Sequence, residues 1–454
     1  MANIVPQPHH FRRIGGWLPQ DPKTLLDWVK KLVTEVDHKK KHGFLSWPKE
    51  IQHLNNLIEG TSELRMLASA MFDEVPNKPP YDKDPTGNKQ IRSYKHMLDV
   101  FAHIMENVTP KWTNNPQGQD LIGFPFNAIL DWLMATPSGY AFFLKREVNA
   151  SLKAILDKWK IDVLQTDKSL HVITTDDDGW LSKAALKKIE DDTNITGTKL
   201  TFAQLFECDP DKAHWGFRSW DDFFTRTFRN FDTIRPIAYP KDPKWIVSSC
   251  ESKPWALQTD VKAYDSFWLK GQPYGVAEMM DHHEESSKFV GGTVYQAFLS
   301  ATSYHRWHSP VTGKVVFSKV IDGTYFSEPT INGFTNPDGP DPAAPDKAQG
   351  YITHVATRAM YLIDTESPIG LVCGIYVGMA DVSSCEILEK FQVKKGGKAV
   401  EVKKGEEIGM FHHGGSTHCL VFEKGLKLKW IKEAYPDVSK TNLAIRSELA
   451  YAEV

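Results

Sequence analysis

The 454-residue sequence is marked first by what it lacks. No apolar run approaches the ~18 residues that a membrane-spanning helix needs. The opening Met1-Ala2-Asn3-Ile4-Val5-Pro6 has neither the basic flank nor the apolar stretch of a secretory signal, which predicts a cytoplasmic chain with no membrane span. No sign of charge dominates: 54 Lys and Arg stand against 57 Asp and Glu, for a formal charge of −3. With no basic block, nothing electrostatic points to nucleic acid or to an anionic membrane surface. Cysteine is scarce. Cys208, Cys250, Cys373, Cys385 and Cys419 are odd in number, scattered and without CxxC spacing, which excludes a disulfide framework and a cysteine zinc site and predicts buried thiols. Internal repeats are absent too. Asp176-Asp177-Asp178-Gly179 starts like a calcium loop but lacks the bidentate Glu at the twelfth position, so it reads as a solvated turn.

What is present divides the chain in two. With 41% hydrophobic and 24% charged residues, it has enough apolar material for a large core and two domains. Asp21-Pro22 reads as an N-cap with proline at the first helical position, and Leu25, Leu26, Trp28, Val29, Leu32, Val33 and Val36 follow on one face as far as Gly43. Similar patterns run from Ser93 to Val108, around Leu121 to Met134 and from Phe142 to Trp159. After about Phe206 the pattern changes to short β-type runs: Trp245 to Val247, Thr293 to Leu299, Lys314 to Ile321, Met360 to Ile363, Gly370 to Val377 and Leu420 to Phe422. The expected fold class is α+β, with a helical domain over 1–205 and a mainly β domain over 206–454. A segment from Glu328 to Gly350, crowded with Pro, Asp, Gly and Asn, is longer than any hairpin needs and reads as a lid or an insertion.

Two stretches carry reactive side chains. Tyr304-His305-Arg306-Trp307-His308-Ser309-Pro310 holds an HxxH pair, but its β-rich flanks and Pro310 argue against the helix that would put both histidines on one face. Gly409-Met410-Phe411-His412-His413-Gly414-Gly415-Ser416-Thr417-His418 gathers glycines, a serine and three histidines near the C-terminus. Taken singly, the first is a hydrogen-bonded loop and the second a glycine turn.

Jointly, the pieces resemble the phosphatidylserine decarboxylase family. The resemblance covers the β-rich half in order: Asp222-Phe223-Phe224-Thr225-Arg226 and Arg235-Pro236-Ile237, Val247-Ser248, Lys270-Gly271 with Tyr274, the Tyr304 to Pro310 stretch, Gly378-Met379, and Lys404 to Phe411 leading into Gly414-Gly415-Ser416-Thr417. The helical first half is more similar to the fungal branch of that family, which includes L-tryptophan decarboxylases. The resemblance implies a mainly β catalytic domain that cuts its own backbone between Gly415 and Ser416 and converts Ser416 into a covalent pyruvoyl group, so that no external cofactor or metal is required. It also implies that the short C-terminal chain stays as a partner of the rest.

The residue types suit that chemistry. Glycine at 415 leaves room for the Ser416 hydroxyl to approach the carbonyl ahead of it. A serine hydroxyl needs a base, which the resemblance assigns to His308, and an acid to orient the imidazole, which it assigns to Glu251, standing where family members carry Asp. The pyruvoyl ketone traps the substrate amine as a Schiff base and takes up the electrons left by CO2. His305 matches the histidine that serves decarboxylation. Phe298 stands where the phospholipid enzymes carry tyrosine, making the pocket more apolar, and Tyr325 and Phe326 are further candidates for substrate binding, next to the loop that would cover it. The expected substrate is a soluble aromatic amino acid, L-tryptophan first, with phosphatidylserine as the alternative. Two other classes stay open: a metal hydrolase built on His305, His308, Glu251 and one of His412, His413 or His418, and a non-catalytic binding protein.

Overall fold

The structure is a computed structural model that describes residue 19 and residues 22–75, 91–115, 118–134, 136–264, 274–327, 349–366, 368–381, 384–413, 416–439 and 441–453. The expected cap at Asp21, the Lys270-Gly271 motif, Gly414-Gly415 and residues 328–348 of the long loop lie outside the described residues. The chain forms two compact units. One comprises residues 1–185, 218–220 and 324–349; the other comprises 186–217, 221–323 and 350–454. This division differs from the expected boundary at 205/206, and Tyr325 and Phe326 fall in the first unit. Residues 186–217 belong with the second because their polar groups pair there: Asp192 accepts from Thr302 Oγ1, and the Thr193 carbonyl accepts from Arg235.

The first unit is largely helical. α1 (Pro22–Lys41) buries Leu25, Val29, Leu32, Val33 and Val36, the stripe that a 3.6-residue period dictates. α2 (Lys49–Gly60) and α3 (Ser62–Asp73) follow, then α4 (Tyr94–Asn107), whose cap Ser93 accepts from the His96 amide. A hairpin of β1 (Lys111–Asn115) and β2 (Gly118–Ile122) interrupts the helices, so the helix expected around Leu121 begins only at α5 (Pro125–Met134). The pattern from Phe142 to Trp159 splits into α6 (Pro137–Phe143), capped by Thr136, and α7 (Arg146–Trp159). Phe101, Phe126 and Trp159 pack edge to face in the core. The Asp176 stretch is a turn in which Gly179 donates to the Asp176 carbonyl.

The second unit begins with α8 (Lys183–Thr193, mostly within it), α9 (Phe202–Leu205) and α10 (Trp220–Phe224). Its strands are β3 (Trp245–Val247), β4 (Lys253–Thr259), β5 (Thr293–Leu299), β6 (Arg306–His308), β7 (Gly313–Ile321), β8 (Arg358–Asp364), β9 (Leu371–Gly378), β10 (Ser384–Ile387), β11 (Val400–Val402), β12 (Glu407–His412), β13 (Ser416–Phe422), β14 (Lys427–Trp430) and β15 (Glu448–Glu453). Seven of them form an antiparallel sheet in the order β11-β7-β8-β9-β13-β5-β4, with three-stranded sheets β10-β12-β6 and β14-β15-β3. β5, β9 and β13 are buried along their whole length, so polar residues among them, such as Gln296, Thr417 and His418, are held inside as well. Tyr295, Leu299, Trp307, Tyr361, Tyr376, Phe411, Leu420 and Phe422 join one core shared by the large sheet and β10-β12-β6, and the Trp307 ring stacks on Tyr376 at 4.4 Å.

Candidate active site

Ser416 is the first residue of β13 and pairs on both sides, with Leu299 of β5 and Gly378 of β9. Gly378 brings no side chain to the position beside it. The period of two puts Ser416 on the same face as His418, Leu420 and Phe422. Ser416 is fully buried, and its Oγ has no hydrogen-bond partner among the described residues. An unpaired buried hydroxyl costs about 1–3 kcal/mol, so its place here calls for an explanation that packing alone does not give.

The residue that follows is tied down. Thr417 Oγ1 donates to the Ala297 carbonyl and accepts from Gln296 Nε2, each at 3.0 Å, and Gln296 Oε1 accepts from the Tyr274 hydroxyl. Burial raises the Tyr274 pKa well above the ordinary tyrosine value, which keeps it a donor. Upstream, His412 ends β12 with its ring between Asp221 and Glu386. His413 then takes a left-handed backbone, φ 42°.

His305 immediately precedes the short strand β6 and His308 ends it. His305 is fully buried, stacks on Phe224 at 4.0 Å and accepts from the Phe411 amide through its carbonyl. Burial, then the nearby Arg226 charge, hold its imidazole well below the usual histidine pKa. Arg226 itself donates to the Thr302 and Ser303 carbonyls. His308, on β6, places Nδ1 2.8 Å from the Gly405 carbonyl and stacks on Phe231. A carbonyl only accepts, so Nδ1 carries the hydrogen at this 2.8 Å contact; Arg446 Nε also comes within 3.3 Å of Nδ1 but gives its hydrogen to the same Gly405 carbonyl at 2.8 Å, and Nε2 presents a lone pair, with no partner among the described residues. Burial lowers the His308 pKa to about 3, although the Gly405 bond opposes this. The ring is therefore neutral, its Nε2 lone pair unprotonated, and burial makes it a weaker base than an ordinary histidine.

Glu251, the acid that the resemblance implies, bonds elsewhere than to His308 among the described residues. Its carboxylate takes two bonds from Arg235, through Nε at 3.0 Å and through Nη2, and a third from the Ile445 amide at 2.9 Å. Among the described residues no hydrogen bond joins Glu251, His308 and Ser416 to one another. The reason is electrostatic: a fully buried carboxylate is best satisfied by a guanidinium that meets it bidentately, and both side chains are about 99% inaccessible (relative exposure 1% and 2%). Phe298 lies opposite Thr417, hence on the sheet face away from Ser416. In the first unit, the Tyr325 amide donates to Asn149 Oδ1 at 3.2 Å and the Phe326 ring meets Phe143 edge on.

Among the described residues no three or more His, Cys, Asp or Glu side chains are grouped to hold a metal ion, and no helix is long and apolar enough to cross a membrane. The pairs Arg235–Glu251, Asp221–His412 and Gln296–Thr417 were not anticipated. Their members were visible in quoted motifs or beside them, but nothing in a sequence matches partners that lie 16, 191 and 121 residues apart.

Two phosphatidylserine decarboxylase family models match the chain, one over residues 48–189 and one over 220–442. A decarboxylase of Amanita muscaria is 39% identical over 66% of this chain and 84% of its own. L-tryptophan decarboxylases of Psilocybe cubensis and Psilocybe cyanescens are 29% and 30% identical, each over 95% of this chain and 93% of theirs. The fold and the matches define a carboxy-lyase. The chain belongs to the phosphatidylserine decarboxylase family, and its relatives include fungal decarboxylases.

Proposed function

We propose that this chain cuts itself between Gly415 and Ser416, carries a pyruvoyl group derived from Ser416, and decarboxylates a soluble aromatic L-amino acid, L-tryptophan to tryptamine and CO2. The observation that carries the reading is Ser416 itself: a buried hydroxyl with no hydrogen-bond partner among the described residues, at the head of a central strand and preceded in sequence by two glycines. The likeness to two L-tryptophan decarboxylases over nearly the whole chain supports the choice of substrate.

The residues around Ser416 fit such a group. When formed, it supplies a ketone that engages the substrate amine and an electron sink for the carbon that loses CO2. The chain's own part is to shape and dry the site. His308, neutral and with Nε2 open, is the base for the Ser416 hydroxyl. His305 serves the decarboxylation step, holding the substrate carboxylate or returning a proton. Gln296 and the Ala297 carbonyl hold Thr417, and so hold residue 416 in register. The cut C-terminal chain stays as an integral partner, because β13 lies between β5 and β9 while β15 lies between β14 and β3.

Phosphatidylserine is the second reading, favoured by the family models themselves. One assay separates the two: CO2 release from L-tryptophan, L-tyrosine, L-phenylalanine and phosphatidylserine vesicles. Fastest turnover of L-tryptophan is the expected result, and turnover of the phospholipid alone would overturn the assignment.

A further inference from the structure

Only residues 413–415 separate the end of β12 from Ser416. The β12 end is fixed by side chains from two other elements. His412 Nδ1 lies 3.0 Å from Oδ2 and 3.1 Å from Oδ1 of Asp221 on α10, and its Nε2 lies 2.7 Å from Oε2 of Glu386 on β10. The strand register explains the second contact: Ser384 stands opposite His412 and Glu386 opposite Met410, so Glu386 is the diagonal neighbour of His412 on the same face. Carboxylates accept and do not donate, so both ring nitrogens carry hydrogen and the ring is a cation bridging two anions. Burial alone would lower its pKa, yet the bonds to Asp221 and Glu386 raise it to about 9. On the far side of the link, β13 is locked by pairing with β5 and β9 and by the Thr417 bonds. Between the two fixed ends, His413 holds a positive φ that a side chain disfavours and that its surroundings must impose.

We propose that Asp221, His412 and Glu386 form a clamp that positions the peptide bond ahead of Ser416 for self-cleavage, with His412 as a positioning residue that takes no part in turnover. The inference rests on the self-cleavage reading above. An intramolecular attack depends steeply on the approach of its two atoms, and a displacement of about 1 Å can cost ~100-fold in rate. The clamp fixes the upstream limb of that approach. Once the bond is cut, the limb no longer has to meet Ser416, so the clamp matters for maturation and not for decarboxylation.

The experiment follows the cut by intact mass over time in full-length protein, and separately measures CO2 release per cut chain. His412→Gln keeps hydrogen bonding but removes the charge, and is expected to slow cutting by about 10- to 100-fold while turnover per cut chain changes less than about 2-fold. His412→Lys, which restores a cation between the carboxylates, is expected to recover part of the cutting rate. Asp221→Asn and Glu386→Gln each remove one arm from a different element, and each is expected to slow cutting, so a misfolded His412 variant does not leave the matter open. Cutting at the wild-type rate in both arm variants, or an equal fall of cutting and turnover in them, would overturn the clamp. A wild-type chain that stays whole would instead remove the self-cleavage reading before any variant is compared.

Discussion

The His308 imidazole gives its Nδ1 hydrogen to the Gly405 carbonyl, 2.8 Å away. That bond fixes the tautomer and directs the Nε2 lone pair, the role a carboxylate plays in serine-protease triads. A main-chain carbonyl does this without adding a charge, and burial keeps the ring neutral down to about pH 3. Self-cleavage is therefore expected to be nearly independent of pH from about 5 to 8, where a histidine with an ordinary pKa near ~6.5 would give a falling acid limb. Rates of cutting measured by intact mass across that range check this, and a limb centred near 6.5 would contradict it.

Glu251 is expected to act first on stability. Glu251→Gln leaves the Arg235 guanidinium buried without its anion, a change that costs about 3–5 kcal/mol when a buried pair loses one member. Glu251→Asp keeps the charge on a shorter stem and is expected to cost less and to retain some self-cleavage. Urea unfolding of both variants in a Ser416→Ala background, which keeps every chain whole, measures the difference. Equal stability of Glu251→Gln and its parent would show that the Arg235 pair contributes nothing.

His412 sets a second pH dependence, in the alkaline range. Its folded pKa is raised to about 9 by the hydrogen bonds and charges of Asp221 and Glu386, which outweigh burial. A raised cationic pKa stabilises the fold fully below the unfolded value of ~6.5, and the contribution is lost as pH rises through about 9. The contribution is ~3 kcal/mol at most, at about 1.4 kcal/mol per pH unit. Melting temperature should fall between pH 7 and 10 in Ser416→Ala protein, and His412→Gln should flatten that fall. Identical slopes in the two proteins would contradict the assignment.

Thr417→Val removes the acceptor for Gln296 Nε2 and the donor for the Ala297 carbonyl without changing the volume. Leaving Gln296 unsatisfied in a fully buried site is expected to cost about 1–3 kcal/mol. Gln296→Leu in the same background should recover part of that loss, because the stranded donor is then gone. A double-mutant cycle in denaturant reads the coupling, and strict additivity would show that the bond contributes little.

The helices α1, α4 and α7 and the strands β5, β7 and β9 were legible because their apolar residues keep a strict period or an unbroken run. The β1–β2 hairpin was not, since Thr113-Asn114-Asn115 and Gly118-Gln119-Asp120 show no apolar alternation. Ser416, His305 and His308 could be singled out from the order of motifs, and all three are buried. The partners of Glu251 and His412 were hidden because a carboxylate's choice among buried cations is settled by topology: Glu251 meets Arg235 and His412 meets Asp221 only once the chain has folded. Tyr325 and Phe326, chosen for their place beside the long loop, belong to the largely helical unit, where Phe326 meets Phe143.

The most direct test of the central claim is the intact mass of the purified wild type beside Ser416→Ala. The account predicts two chains in the wild type, residues 1–415 and 416–454, the shorter blocked to Edman degradation and carrying the mass of a pyruvoyl group in place of serine, and one whole chain in the variant. An active wild type that runs as one unbroken chain with an ordinary serine at 416 would contradict it.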